Sequence, residues 1–545
     1  MKHKVIIYLA LSATVFASCG KWLREDGPLT NRVEDFFTSA QTAVQVVNAA
    51  YVPLMWEYQG TYYPEFFFGD VISDDALKGG QNISDMADVY DLENFKAIAN
   101  NNMVLQYYRA QYQGIARANL ALEQIPAMKN DGTLTTDLRN RLIGEASFLR
   151  AYYYFRLVRM FGGVPLVKTP IYSSEDWKQP RADVDDIYGL IESDLTTAKT
   201  NLPLKSQYPD SEMGRATQGA ALAMLMKTYL YRADWHRNNA GADSEKYYQL
   251  AKDAGDAFMS TQVSEYGLCE NYADNFTLGG ENGPESVFEI QYMSESMSDY
   301  GEGNGFSRGT FVTVLQRSRS SHFSATGWGF NHPSQNLYQE FESGDPRREA
   351  SILVPTDEQI TSPNDEIYLG NRNLCVKRSI MEDGDYVVLE DAHHSRSPIN
   401  YVTIRLADVY LLYAEAAYRT NDNPTAEIYL EKVRARARGE EDILPKFPNY
   451  MIPDYRNGYS MRQLNSSDIE DAIRHERRVE LAMESHRWFD LCRWGIAADV
   501  MTAYKNSETS EVKAHIADFQ KGKHELMPIP DEEVRLGNLV QNPGY

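Results

Sequence analysis

Residues 137–167 read DLRNRLIGEASFLRAYYYFRLVRMFGGVPLV. Leu142, Ala146, Leu149, Tyr153, Leu157 and Met160 step by three and four, which lines one face of an α-helix. Gly162-Gly163 stops that helix, and Val164-Pro165-Leu166-Val167 leaves it as extended chain. The stretch just before it, 106–125, is also strongly helical. A Lys129-Asn130-Asp131-Gly132 turn joins the two. Two long helices and a short turn make a helix pair, and the rest of the chain can be searched for its like.

Such pairs recur. Residues 35–56 form an earlier helix with Val44, Val47 and Tyr51 on one face. Residues 185–202 form another, and 217–235 with 246–259 make an antiparallel couple. The last couple is 406–418 and 426–437 across an Asn421-Asp422-Asn423-Pro424 turn. Small Ala414, Ala417 and Ala426 stand among large Tyr410, Tyr413 and Tyr429, so these helices can approach closely. Four pairs of this unit length resemble tetratricopeptide repeats. The expected fold is mainly α. Tetratricopeptide-like helix pairs form a scaffold over about 31–260 and 403–438. A loop-rich lobe with short strands and helices covers about 261–402, and C-terminal helices and a tail cover 439–545. Residues 31–545 are expected to make one body.

The N-terminus reads as a targeting segment. Lys2 and Lys4 precede a mostly apolar run from Val5 to Phe16, and Ala17 and Ser18 precede Cys19. That is the pattern of a secretory signal, with an apolar run shorter than the roughly 20 residues that span a bilayer. The position of Cys19 predicts cleavage after Ser18 and acylation of the cysteine. Residues 19–30 then form a lipidated tether, rich in polar residues and without apolar period.

Composition excludes several classes. The net charge is −23, and −25 once Lys2 and Lys4 leave with the signal. Nucleic acid is not a partner for so acidic a chain, and repulsion keeps the body off an anionic membrane. Cys269, Cys375 and Cys492 are widely spaced and no CxxC exists, so neither a disulfide framework nor a zinc site is expected. His393-His394 reads as a solvated pair. No GxSxG, HExxH, P-loop, dinucleotide or EF-hand pattern is present, and no cofactor or metal is expected. Glu382-Asp383-Gly384-Asp385 reads as a hairpin turn. A glycosidase needs two carboxylates facing each other across a sugar. Asp74-Asp75 is the conspicuous candidate, but adjacent side chains diverge. With 36 tyrosines the chain is instead rich in a residue suited to half-wet surfaces.

Several stretches together resemble the SusD/RagB family of nutrient-binding outer-membrane lipoproteins. Ala146–Phe155 with Phe161–Val167 looks like the family's second long helix and its exit. Ile404–Tyr410 with Ala414-Glu415-Ala416 looks like a late repeat helix. Glu476–Leu481, Arg487–Leu491, Met527-Pro528-Ile529-Pro530 and Gln541–Tyr545 look like its C-terminal elements. The resemblance implies surface capture of oligosaccharide, no catalysis, and a SusC-like TonB-dependent β-barrel as partner. It places the chain on the extracellular face of the outer membrane, held by its lipid. Some relatives serve peptide uptake, so a peptide ligand stays open. A surface glycoside hydrolase is the remoter alternative. Arg477, Arg478, Glu480 and Arg487 look catalytic in isolation, but read as a salt-bridged helical end. Trp488 and Trp494, at helical spacing, read as core.

A neutral sugar needs aromatic faces for its C–H patches and Asn, Gln, Asp or Arg for its hydroxyls. Two regions match the family's binding loops. The first follows Ser73-Asp74-Asp75-Ala76-Leu77. Starch-binding members carry aromatics just after this motif, whereas Lys78-Gly79-Gly80-Gln81-Asn82 stands here, which argues against starch. The second holds Tyr300 and the glycine-flanked Trp328, both aligned with aromatic contact positions of those members. Trp328, Tyr300, Asn82, Gln81 and Asp74 are the expected ligand contacts, with a helix cap as the alternative role of Asp74.

Overall fold

The computed structural model describes residues 37–129, 132–173, 176–294, 308–360, 372–440 and 442–545. Cys19 and Tyr300 lie outside them. The helical scaffold is built from α1 (Ala40–Tyr51), α2 (Asn102–Ala127), α3 (Thr136–Phe161), α4 (Val184–Asn201), α5 (Gln218–Asn238) and α6 (Ser244–Thr261). It continues with α7 (Leu406–Arg419), α8 (Asn423–Arg438), α9 (Ile469–Glu480) and α10 (Arg487–Trp494). Polar caps set several starts. Asn101, Thr135 and Thr217 accept from Val104, Leu138 and Ala220 N–H, and Ser39 forms a capping box with Thr42. Gly162, at φ +68°, ends α3 where a side chain would be strained.

From α2 to α9 each helix packs on the next, and α6 packs on α7. The loop-rich segment is therefore inserted between two neighbours of one helical stack. Close approach is set by paired small and large residues. A Cβ on Gly114 would lie 2.3 Å from the Tyr153 ring, and one on Gly255 2.2 Å from Tyr413. The apolar periodicity of α3 marks one face, yet Tyr152, Tyr154, Phe155 and Val158 are buried too. The helix sits between α2 and α4, and its Phe148 meets Phe288 at 4.8 Å, so it has no outer face over its second half. One cluster of buried apolar side chains runs from Ala50 to Ile529.

Short antiparallel strand pairs build the inserted lobe and join it to residues 76–79. β2 (Ser286–Ile290) pairs with β8 (Tyr401–Arg405), which leads directly into α7. β1 (Ala76–Gly79) pairs with β3 (Phe330–Pro333). β4 (Ile352–Leu353) pairs with β5 (Leu374–Cys375), and β6 (Met381–Glu382) and β7 (Asp385–Tyr386) flank the expected hairpin turn, with Asp383 and Gly384 both at positive φ.

Buried ions join lobe to scaffold. Arg405 on β8 reaches Glu285, Glu480 and Glu484 at 2.7, 2.5 and 2.8 Å. Arg347 reaches Asp345, Glu476 and Glu480 at 2.7, 2.5 and 3.0 Å. Arg477 holds Asp408 and Asp490 at 2.9 and 3.0 Å. The α9–α10 arginines are thus structural, and Trp488 and Trp494 are core, 1 % and 5 % exposed.

His475 belongs to this network, 2.7 Å from Glu340 and 3.6 Å from Glu342. Burial alone would lower its pKa, but hydrogen bonds and charge from the two glutamates outweigh burial and raise it to about 9. The unfolded value is about 6.5. The protonated imidazole therefore stabilises the fold fully below about pH 6.5, and that contribution is lost as pH rises through 9. A shift of this size corresponds to roughly 3 kcal/mol. Urea midpoints of wild type and His475→Gln at pH 6 and pH 9.5 should converge at the higher pH. An unchanged gap between them would contradict a charged His475.

Candidate functional site

The β1–β3 pair places two loops side by side. Ala76 opposes Pro333, Leu77 opposes His332, and Gly79 opposes Phe330. Just past the pair, Gly80 N–H donates to the Gly329 carbonyl at 2.5 Å. The 79–85 turn therefore lies against the loop holding Trp328, although 246 residues separate Asn82 from Trp328.

Gln81 and Asn82 are both exposed on that turn. The Asn82 side-chain oxygen accepts Ser84 and Asp85 N–H at 2.9 and 3.1 Å. Lys78 Nζ, beneath them, donates to the Gly79 and Asn82 carbonyls at 3.0 Å each. Burial lowers the Lys78 pKa to about 8. The turn is thus built by internal hydrogen bonds that leave the Gln81 amide at the surface.

Trp328 is half-buried. Its N–H donates to Val314 at 2.8 Å, and Gly327 and Gly329 N–H donate to Ser318 and Arg317 at 2.6 and 2.9 Å. The flanking glycines have a packing cause. A Cβ at 327 would lie 2.3 Å from the Arg317 Cβ, and one at 329 would lie 2.9 Å from Arg319 Cγ. The indole meets the Tyr62 ring edge-to-face at 5.4 Å. Tyr62 in turn meets Tyr58 at 4.6 Å and Phe311 at 5.0 Å, and the Arg396 guanidinium covers Phe311 at 3.6 Å.

Tyr58, Tyr62 and Trp328, each half-buried, form an aromatic surface over a buried Phe311. Glu57 anchors it from below. Its carboxylate accepts from Tyr292 Oη at 2.9 Å, Thr310 Oγ1 at 2.8 Å and Phe311 N–H at 2.8 Å. Met293 N–H donates to the Arg308 carbonyl at 2.9 Å. The described residues flanking the Tyr300 segment therefore meet close in sequence to Phe311. Tyr58 and Tyr62 were absent from the expected contacts. Their signal is local and readable: Gly60, at φ +77°, closes a turn in Tyr58-Gln59-Gly60-Thr61-Tyr62, bridging the two tyrosines.

Asp74 requires correction as a ligand contact. It is 0 % exposed, and both its oxygens are held by arginines. Arg487 donates to Oδ1 and Oδ2 at 2.8 Å, and Arg478 lies 2.9 Å from Oδ2. Burial would raise its pKa, but the two guanidinium charges hold it low. It does not cap a helix; its place in the ion network decides its role. Among the described residues no group of three or more His, Cys, Asp or Glu is arranged to hold a metal ion.

The N-terminal segment of the helical-repeat scaffold and the inserted lobe together present a half-buried aromatic surface. Known proteins share this architecture. A profile of the SusD family matches residues 385–545, and one described as starch-binding, associating with outer membrane, matches residues 22–230. SusD-like protein P2 of Formosa agariphila is 27 % identical over 541 residues, covering 94 % of each chain. A solved laminarin-binding SusD-like protein is 29 % identical, with a TM-score of 0.74 over 93 % of this chain and 100 % of that one. Surface glycan-binding protein A from Bacteroides thetaiotaomicron, solved with laminarihexaose, has a TM-score of 0.73 at 21 % identity, over 93 % and 100 %. The chain belongs to the SusD/RagB family.

Proposed function

We propose that this protein captures a neutral oligosaccharide or polysaccharide at the cell surface and passes it to a TonB-dependent β-barrel, without cleaving it. The observation that carries this reading is the half-buried patch of Tyr58, Tyr62 and Trp328 beside the exposed Gln81–Asn82 turn. Aromatic faces suit the C–H patches of sugars, and the turn supplies amides for hydroxyls. Tyr300 is a further contact by its resemblance, whereas the buried Asp74 takes no part in the site.

The ligand class is argued from the similar laminarin-binding protein, which makes a β-glucan the first candidate. The 78–82 turn brings no aromatic, which weighs against starch. Two or three stacking contacts of roughly 0.5–1.5 kcal/mol each support capture and release rather than tight retention. The soluble chain lacking residues 1–19 should be titrated with laminarihexaose, cellohexaose, maltohexaose and a mixed peptide pool. We expect one hexaose to bind and to keep its length on prolonged incubation. Shortening that stops when one carboxylate is mutated would make the hydrolase reading the better one. Binding of peptide alone would replace the glycan.

The anchor rests on the signal-like run ending at Ser18. Cys19→Ala should release the protein from the membrane fraction or block its maturation. No helix among the described residues is long and apolar enough to cross a membrane. Unchanged retention and processing of the variant would rule out the acylated cysteine.

A further inference from the structure

A cleft of about 920 Å³ lies on the scaffold, sharing no residue with the Trp328 surface. The starts of α4 and the second half of α5 form one side, and α10 with residues 521–543 forms the other. Ligand sites commonly enclose about 300–1,000 Å³. Its apolar wall is made by Tyr188, Tyr231, Phe489 and the half-buried Trp235.

The polar groups of that wall are left open. The hydroxyls of Tyr188 and Tyr231 have no hydrogen-bond partner among the described residues, and neither does the indole N–H of Trp235. The two tyrosines are 3 % and 5 % exposed, and their hydroxyls are not among the fully enclosed unpaired atoms. The ring faces are packed into the protein while the hydroxyl ends reach the cleft. Buried polar groups normally find partners, so two phenols and an indole open on one cavity point to a ligand with hydrogen-bonding groups of its own.

The charge around the cleft narrows the class. Arg493 is held by Asp234, Glu415 and Asp490 at 2.9, 2.7 and 2.8 Å. Arg181 is spent on the carbonyls of Gly163 and Val540 and on Asn542 Oδ1. Asp185 is matched by Arg232 and His236 at 3.0 and 2.9 Å. Arg159, Arg493 and Asp185 are compensated within the protein, whereas Asp183, Asp186 and Lys521 are exposed charges of both signs and Glu525 is half-buried, so the aromatic inner wall carries no net charge of one sign to select an ionic ligand. An aromatic wall with neutral donors fits a neutral molecule carrying both apolar faces and hydroxyls.

We propose that this cleft is a second binding site for neutral oligosaccharide, separate from the Trp328 surface. The proposal rests on the glycan reading above. Two sites on one chain would hold a long polysaccharide by avidity, each site remaining weak. The test uses the full soluble chain and the three hexaoses named above, followed by calorimetry. Tyr188→Phe/Tyr231→Phe removes both hydroxyls while conserving ring volume, and Trp235→Ala removes the indole.

With a hexaose that binds wild type, Trp328→Ala should retain a residual site. Adding the Tyr188→Phe/Tyr231→Phe pair should weaken that site at least 5-fold with an unchanged melting temperature, and adding Trp235→Ala should do the same. Residual binding lost in Trp328→Ala alone, or indifferent to the cleft substitutions, would overturn the second site while leaving the glycan reading standing. Failure of wild type to bind any hexaose would overturn both.

Discussion

Replacing Arg478 by alanine should lower stability by about 3–5 kcal/mol, the range for removing one partner of a buried ion pair. Arg478 is 5 % exposed on α9. Its guanidinium donates to Asp75 Oδ1 and Glu340 Oε2 at 2.8 Å each and to Asn336 Oδ1 at 2.8 Å, and lies 2.9 Å from Asp74 Oδ2. Alanine leaves these buried carboxylates under-compensated. Arg487 remains on Asp74 and His475 on Glu340, but among the described residues Asp75 keeps only the Arg487 guanidinium, 3.8 Å away.

The consequence reaches the aromatic surface. Ser334 N–H donates to the Asp75 carbonyl at 2.8 Å, and Ser334 Oγ donates to the Asp74 carbonyl at 2.6 Å. Arg478 thereby braces the β1–β3 pair that sets the two loops side by side. Chemical denaturation at pH 7 measures the effect. Adding Asp75→Asn and Glu340→Gln to Arg478→Met should recover part of the lost stability, because the uncompensated charges are then gone. A loss below 1 kcal/mol for Arg478→Ala would show that the network carries little of the fold.

Trp328→Ala should weaken glycan binding by about 1–3 kcal/mol, roughly 5- to 150-fold, if its indole is the sugar platform. The stability cost should be near 1 kcal/mol, since the indole is half-buried and meets Tyr62 edge-to-face. A core tryptophan behaves differently. Trp488→Ala should cost about 3–5 kcal/mol of stability. Tyr62→Ala should follow Trp328→Ala in affinity, because it supports the indole and shares the surface. Melting temperature and affinity of the same variants decide the matter. A large fall in melting temperature for Trp328→Ala, or unchanged affinity for a ligand that binds wild type, would remove the platform role.

The two halves of the candidate binding surface differ in how far the sequence marks them. The Asn82 turn and Trp328 were reached through resemblance, each from its own stretch of chain. Tyr58 and Tyr62 were not, because they follow a helix whose apolar period ends before them. Nothing near position 60 signals a tryptophan at 328. Asp74 shows the converse error. Its sequence neighbourhood is acidic and turn-like, which suggests a surface, while the two arginines that bury it lie more than 400 residues away. The glycines beside Trp328 are explained by close packing against Arg317 and Arg319, which no local pattern records.

The amino-acid sequence by itself determined the helices. Their apolar period, polar caps and terminal glycines are local, and each specifies an element without reference to the rest of the chain. It also determined the hairpin turn at Asp383-Gly384 and the structural nature of the α9–α10 arginines, since carboxylates and guanidinium groups at helical spacing have to be paired when buried. Only the tertiary structure decided that the lobe is inserted between α6 and α7. It alone brought Tyr58, Tyr62 and Trp328 into one surface, sealed Asp74 behind Arg478 and Arg487, and opened the cleft at Tyr188, Tyr231 and Trp235. The physical reason is range. Helix formation follows from neighbours three and four residues apart, whereas a binding surface depends on contacts between distant segments that no local period records.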